Sequence, residues 1–199
     1  GQEINPLSVG MAKADMLIGG GDREKMQFGD TLNAEKFKGY TCDYMRSKPP
    51  LGIDWKREAA EVEKEHKLGD AGRFGVGLPQ KSDGQMLFLL NGIAKLKDTG
   101  RMAIIQNGSS LFTGDAGSGP SEIRRYIIEN DWLDAIVQLP NDSFYNTGIA
   151  TYIWIVSKNK PETHRERIFL IDASNCWKAR RPPIGNKRVV INESCCNLI

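Results

Sequence analysis

Ala135-Ile136-Val137-Gln138-Leu139, followed ten residues later by Ala150-Thr151-Tyr152-Ile153-Trp154-Ile155-Val156, reads as a pair of buried strands. The intervening residues 140–149 are too few for a helical crossover, which takes about a dozen residues or more, so the two strands are predicted to run antiparallel. Upstream, Ser121-Glu122 opens a helix carrying Ile123, Tyr126 and Ile127 on one face, and Arg101-Met102-Ala103-Ile104-Ile105 follows Gly100 as a buried strand. Ser82-Asp83 supplies a helix start for residues 84–96. This helix is apolar over most of its circumference through Met86, Leu87, Phe88, Leu89, Leu90, Ile93 and Ala94, and so belongs against a sheet. The alternation predicts α/β architecture, with a mixed sheet that ends in an antiparallel strand pair.

Farther out the signals are shorter. A strand over residues 40–47 is stopped by Pro49 and Pro50, which cannot continue a sheet ladder. Residues 56–82 are rich in charge and glycine and read as a long loop with a short helix around residues 59–64. At the front, Leu7, Met11, Ala14 and Ile18 recur at helical spacing until Gly19-Gly20-Gly21 stops the helix, and residues 25–28 form a short strand. Residues 167–171 add an edge strand, which closes a core over residues 1–172 and leaves 173–199 as an irregular C-terminal extension.

Composition sets bounds on function. The 199 residues are 40% hydrophobic and 26% charged, enough for one substantial core. A net charge of +2 is too slight to announce nucleic acid by itself. There is no run of about 18 apolar residues and no signal-peptide pattern at the front, so a cytoplasmic, membrane-free protein is the expectation. Cys42, Cys176, Cys195 and Cys196 form no C-x-x-C pair, and His66 and His164 lie far from them, so reduced thiols and no metal are expected.

Six motifs occur in order: Gly1-Gln2-Glu3-Ile4-Asn5-Pro6; Gly29-Asp30-Thr31-Leu32; Asp43-Tyr44-Met45-Arg46-Ser47-Lys48-Pro49-Pro50; Phe112-Thr113-Gly114-Asp115-Ala116-Gly117-Ser118-Gly119; Glu122-Ile123-Arg124-Arg125 with Asn130-Asp131-Trp132-Leu133; and Phe144-Tyr145-Asn146-Thr147-Gly148-Ile149-Ala150-Thr151. Together they resemble the modification subunit of type I restriction-modification systems, a family that methylates adenine N6 in DNA. The resemblance implies the S-adenosylmethionine-dependent methyltransferase (Rossmann-like) fold, lacking here its first βα unit with the glycine-rich loop. It implies S-adenosyl-L-methionine as cofactor and double-stranded DNA as substrate. It also implies a specificity subunit and a restriction subunit as partners.

By that resemblance Glu3 accepts hydrogen bonds from the cofactor ribose and Asp30 from its adenine amine, roles that suit carboxylate acceptors. Without it, Glu3 is a surface residue favoured by the dipole of the following helix and Asp30 belongs to a Gly-Asp turn.

The strand end Lys48-Pro49-Pro50-Leu51 matches the family's catalytic Asn-Pro-Pro-Phe/Tyr at two of four positions. In that pattern the Asn carbonyl and the following backbone carbonyl accept both amine hydrogens of the target adenine. The aromatic residue stacks on the flipped base. Lys48 has donors and no acceptor, and its charge opposes a nearby sulfonium. Leu51 offers no π face, and base stacking is worth about 1–3 kcal/mol. The resemblance thus implies an adenine-specific DNA methyltransferase whose activity Lys48 and Leu51 impair; the alternative is a non-catalytic DNA- or subunit-binding module, and a third reading is methylation of another planar amine in RNA or protein.

Phe144 and Tyr145 match a family position near the target base, against the plainer reading of packing under a hairpin. Gly114-Asp115-Ala116-Gly117-Ser118-Gly119-Pro120 precedes a helix whose amides could receive a phosphate, or is simply a flexible connection. Arg124, Arg125, Lys178, Arg180, Arg181, Lys187 and Arg188 either meet DNA phosphates or form solvated faces.

Overall fold

The computed structural model describes residues 1–191 and 193–196. Asn5 starts the first helix, α1 (Pro6–Ile18), by accepting hydrogen bonds on Oδ1 from the Leu7 and Ser8 amides, and Pro6 occupies the first turn, where no amide is needed. Gly19 closes it. The strands on either side, β1 (Gln2–Glu3) and β2 (Gln27–Phe28), pair in parallel as a two-stranded sheet of their own. Of the strand expected over residues 25–28 only its second half is extended; residues Arg23–Lys25 form a 3-10 turn capped by Asp22.

The main sheet comprises β3 (Cys42–Ser47), β4 (Leu96–Asn107), β5 (Leu133–Gln138), β6 (Thr151–Ser157) and β7 (Phe169–Asp172), in the order β3-β4-β6-β5-β7. Strands β3 and β4 are parallel, as are β5 and β7, and β6 runs antiparallel between β4 and β5. The short connection of residues 140–149 therefore does what its length requires.

Between these strands lie α2 (Ala59–His66), α3 (Gln85–Ala94), α4 (Ser109–Phe112) and α5 (Gly119–Glu129). Alternate residues Met102 and Ile104 of β4, with Trp154 and Val156 opposite them in β6, face α3 and α5 in one core with Leu87, Leu90, Ile93, Ile123 and Ile127. Helix α3 begins at Gln85, with the Asp83 carboxylate accepting its amide proton. Helix α5 begins at Gly119, two residues before the expected cap; a Cβ on Gly119 would lie 1.8 Å from the Leu78 carbonyl oxygen, so only glycine allows this approach.

Two expectations need correction. Residues 56–82 are anchored as well as connecting: Ala59, Val62 and Phe74 are buried in the main core, next to Trp55 just before the segment. They are single contacts at irregular spacing, which leaves no periodic trace. The extension 173–199 is not irregular throughout, because β8 (Lys178–Ile184) and β9 (Lys187–Val190) form an antiparallel hairpin, with a short helix α6 (Glu193–Cys196) beyond it. Pro182 and Pro183 hid β8 because an isolated ribbon has free edges on which proline is tolerated. Residues 192 and 197–199 of that extension lie outside the described residues.

Candidate active site

Parallel sheets bind ligands outside the carboxyl ends of their strands, and the candidate residues gather at that edge. Strand β3 ends at Ser47, paired with Ile104 of β4, and Lys48, Pro49, Pro50 and Leu51 follow directly. Because β6 is antiparallel, its start at Thr151 lies opposite Asn107 at the end of β4, which brings the preceding Phe144–Tyr145 loop to the same edge. The outcome is a direct contact. Lys48 Nζ sits 5.3 Å from the centroid of the Phe144 ring, within the range of a cation–π interaction.

The strand end is held from below. Pro49 is buried and Trp55 is 2% exposed. The Trp55 indole N–H donates to the Gln80 carbonyl at 3.0 Å, and its backbone N–H donates to Lys81 at 3.0 Å. Lys48, Pro50 and Tyr145 are exposed, whereas Leu51 and Phe144 are partly buried.

Glu3 and Asp30 also come together, at the carboxyl end of the β1–β2 pair. Glu3 is in register with Phe28, and its carbonyl accepts the Gly29 amide at 3.0 Å. One Glu3 oxygen, Oε1, accepts the Asn5 amide at 2.8 Å, and the other takes no hydrogen bond among the described residues. Asp30 Oδ1 accepts the Leu32 amide at 2.8 Å, so the turn role and a ligand role are compatible.

Three supports escaped the sequence reading. Partial burial and the neighbouring Asp30 carboxylate push the Glu58 carboxyl above its ordinary range, which marks a second acid beside Asp30. Arg73 grips the Asp30 turn: its guanidinium donates to the Thr31 carbonyl at 2.8 Å, to Asn91 Oδ1 at 2.9 Å and to both oxygens of Glu65 at 2.8 and 2.7 Å. At the end of β4, buried Gln85 donates to Asp83 Oδ2 and Asn107 Oδ1, each at 2.7 Å, and accepts the Asn107 amide at 2.9 Å. Only the position of Asp83 at a helix start hinted at this network; the Arg73 contacts span up to 42 residues and left no local signal.

The α5 arginines have partners on or near their own helix. Arg124 donates to the carbonyls of Ser110 and Thr113, pinning the segment before Gly114, and Arg125 pairs with Glu122. Arg124 is thereby fixed in place, whereas Arg125 stays largely exposed beside Glu122.

The family model described as N-6 DNA Methylase matches residues 1–192. The chain belongs to the N-6 DNA methylase family. Within that family it is 30% identical over 181 residues to the type I restriction enzyme MjaVII methylase subunit of Methanocaldococcus jannaschii, covering 87% of this chain and 30% of the relative. Among solved structures, the type I restriction-modification system methyltransferase subunit of Streptococcus thermophilus aligns at TM-score 0.80 and 24% identity over 100% of this chain and 40% of that one. A Listeria monocytogenes protein described as a class I S-adenosylmethionine-dependent methyltransferase aligns at TM-score 0.62 and 17% identity, over 87% of this chain and 49% of that one. The fold of this N-6 DNA methylase domain is thus the S-adenosylmethionine-dependent methyltransferase fold, and the chain spans about a third of the length of the curated relatives it matches.

Proposed function

We propose that the chain is the methyltransferase domain of a type I modification subunit, built to hold S-adenosylmethionine and a flipped adenine of double-stranded DNA, with methyl transfer to N6 impaired by Lys48 and Leu51. The observation that carries this reading is the convergence of Glu3 with Asp30 at one strand-pair end, and of Lys48-Pro49-Pro50-Leu51 with Phe144 at the edge of the main sheet. Specificity and restriction subunits complete the assembly in this reading, and the cytoplasm is its setting. Among the described residues no helix is long and apolar enough to cross a membrane.

The residues fit the adenosine half of the cofactor. Glu3 has an oxygen available to paired hydroxyl donors, and Asp30 lies within the same turn that Arg73 fixes. When bound, S-adenosylmethionine supplies an electrophilic methyl group. This chain's residues orient the acceptor: the Pro49 carbonyl receives one amine hydrogen of the base, and Phe144 offers an aromatic face. The second acceptor is missing, because Lys48 brings only donors.

One observation favours the non-catalytic alternative. The Lys48 ammonium lies over the Phe144 ring, on a surface that a base would need for stacking. A charged plug there disfavours both base entry and approach of a second cation. The test is methyl transfer to duplex DNA by the full-length subunit with its specificity subunit. Lys48→Asn with Leu51→Phe is expected to raise transfer by about 10²-fold or more, comparable to restoring a transition-state hydrogen-bonding group. No gain in radiolabelled N6-methyladenine would show that the lesion lies elsewhere.

A further inference from the structure

The β8–β9 hairpin carries Lys178, Arg180, Arg181, Lys187 and Arg188 and no acidic residue between positions 178 and 190. Among the described residues none of these five cations makes an ion pair. The loop beneath, residues 140–149, contributes one carboxylate, Asp142, so this patch alone carries 5 − 1 = +4 while the whole chain carries +2. The positive charge is segregated on one feature.

That feature is docked beside the candidate site. The Asn186 amide donates to the Tyr145 carbonyl at 3.0 Å, and the Arg188 amide donates to the Asp142 carbonyl at 3.1 Å. Gly185 makes the seating possible: its φ is +55°, and a Cβ there would lie 2.6 Å from the Tyr145 oxygen. Tyr145 therefore ties the ribbon's turn to the residue next to Phe144, whose ring meets Lys48.

The cations of the ribbon differ in exposure. Val189 is buried, although Ala179, its partner across the ribbon, is exposed. Lys178, Arg181 and Arg188 are exposed, whereas Arg180 and Lys187 are partly buried. Arg180 Nε is buried without a hydrogen-bond partner among the described residues, which leaves a guanidinium short of acceptors. Exposed Trp177 and Tyr145 flank the cations and give apolar faces of the kind on which bases stack.

We infer that the β8–β9 hairpin is a nucleic-acid backbone clamp that grips phosphates flanking the target base. The inference rests on the reading of the Lys48 strand end as the place where a duplex base is presented. The hairpin offers cations without ion-pair partners among the described residues, whereas Arg124 is held by backbone carbonyls and Arg125 is paired with Glu122. A seven-residue strand extends about 23 Å, long enough to face several phosphates of a duplex.

The test is fluorescence anisotropy of a labelled duplex with the full-length subunit assembled with its specificity subunit, repeated across about 50 to 200 mM salt. Each lost phosphate contact lowers the slope of log affinity against log salt by about 0.9. The variant Lys178→Ala/Arg181→Ala/Arg188→Ala removes three exposed cations and is expected to reduce the slope by about 2 to 3, alike for all duplex sequences. Arg181→Lys/Arg188→Lys is expected to keep it. An unchanged slope in the triple variant overturns the clamp while leaving the proposed function standing. Loss of the specificity subunit from the assembly with an unchanged slope shows a protein interface instead, and also overturns it. Absence of duplex binding by the unsubstituted assembly overturns both readings.

Discussion

At the scale of single residues, what was legible in the sequence was what short motifs carry. Glu3, Asp30 and the Lys48-Pro49-Pro50-Leu51 segment each lie at or just past a strand end, a position that local sequence marks. Glu58, Arg73 and Gln85 were not legible, since their roles come from partners distant in the chain. Gln106 is a further case. It alternates into the core face of β4 with Met102 and Ile104 and is fully buried, yet neither its amide nitrogen nor its oxygen has a partner among the described residues. An unsatisfied buried polar group costs about 1–3 kcal/mol, whereas leucine of similar size has nothing to satisfy. Gln106→Leu is therefore expected to raise the unfolding free energy by about 1 kcal/mol in urea titration; a comparable loss would show that the amide is bonded in solution.

At the scale of elements, periodic segments were readable and anchored ones were not. Helices α1 and α3 announced themselves through apolar spacing and capping. Strands β4 to β6 announced themselves as apolar runs. The segment from Trp55 to Phe74 did not, because isolated anchors and one clamp hold it. That clamp is the pair Arg73–Glu65, which ties α2 to α3 and to the Asp30 turn. Burial pushes the Glu65 carboxyl up, but hydrogen bonds from the Arg73 side chain and amide outweigh it and hold Glu65 below the usual range. A depressed folded value means that the stabilisation is complete above the unfolded Glu value of about 4.3 and is lost as pH falls through the folded value. Arg73→Ala is expected to remove about 3 kcal/mol at neutral pH and to flatten this part of the acid dependence. Thermal unfolding between about pH 7 and 3 checks both, and an acid dependence as steep as that of the unsubstituted chain would assign the sensitivity to other carboxylates.

At the scale of the whole molecule, the mixed sheet was legible because a ten-residue connection leaves few choices of direction. The sheet's covering was less so. Its helix-facing side is sealed by α3 and α5, whereas Ala103, Ile105, Ile153 and Ile155 on the other side are only partly buried. The detached β1–β2 pair, with Glu3 and Asp30, reaches the rest through long-range links such as Lys95 to Glu35 and Arg73 to Thr31. The β1–β2 pair and the edge of the main sheet are thus separately built.

The order β3-β4-β6-β5-β7 has a kinetic consequence. Strand β5 is made before β6 yet cannot join β4 except through it, so the far side of the sheet has no native docking surface until residue 157 has been placed. Strands β5, β6 and β7 should then open and close as one cooperative unit. Native-state hydrogen exchange is expected to give the amides of Val137, Ile153 and Ile171 a common opening free energy; protection of β5 persisting while β6 exchanges would dissolve that unit.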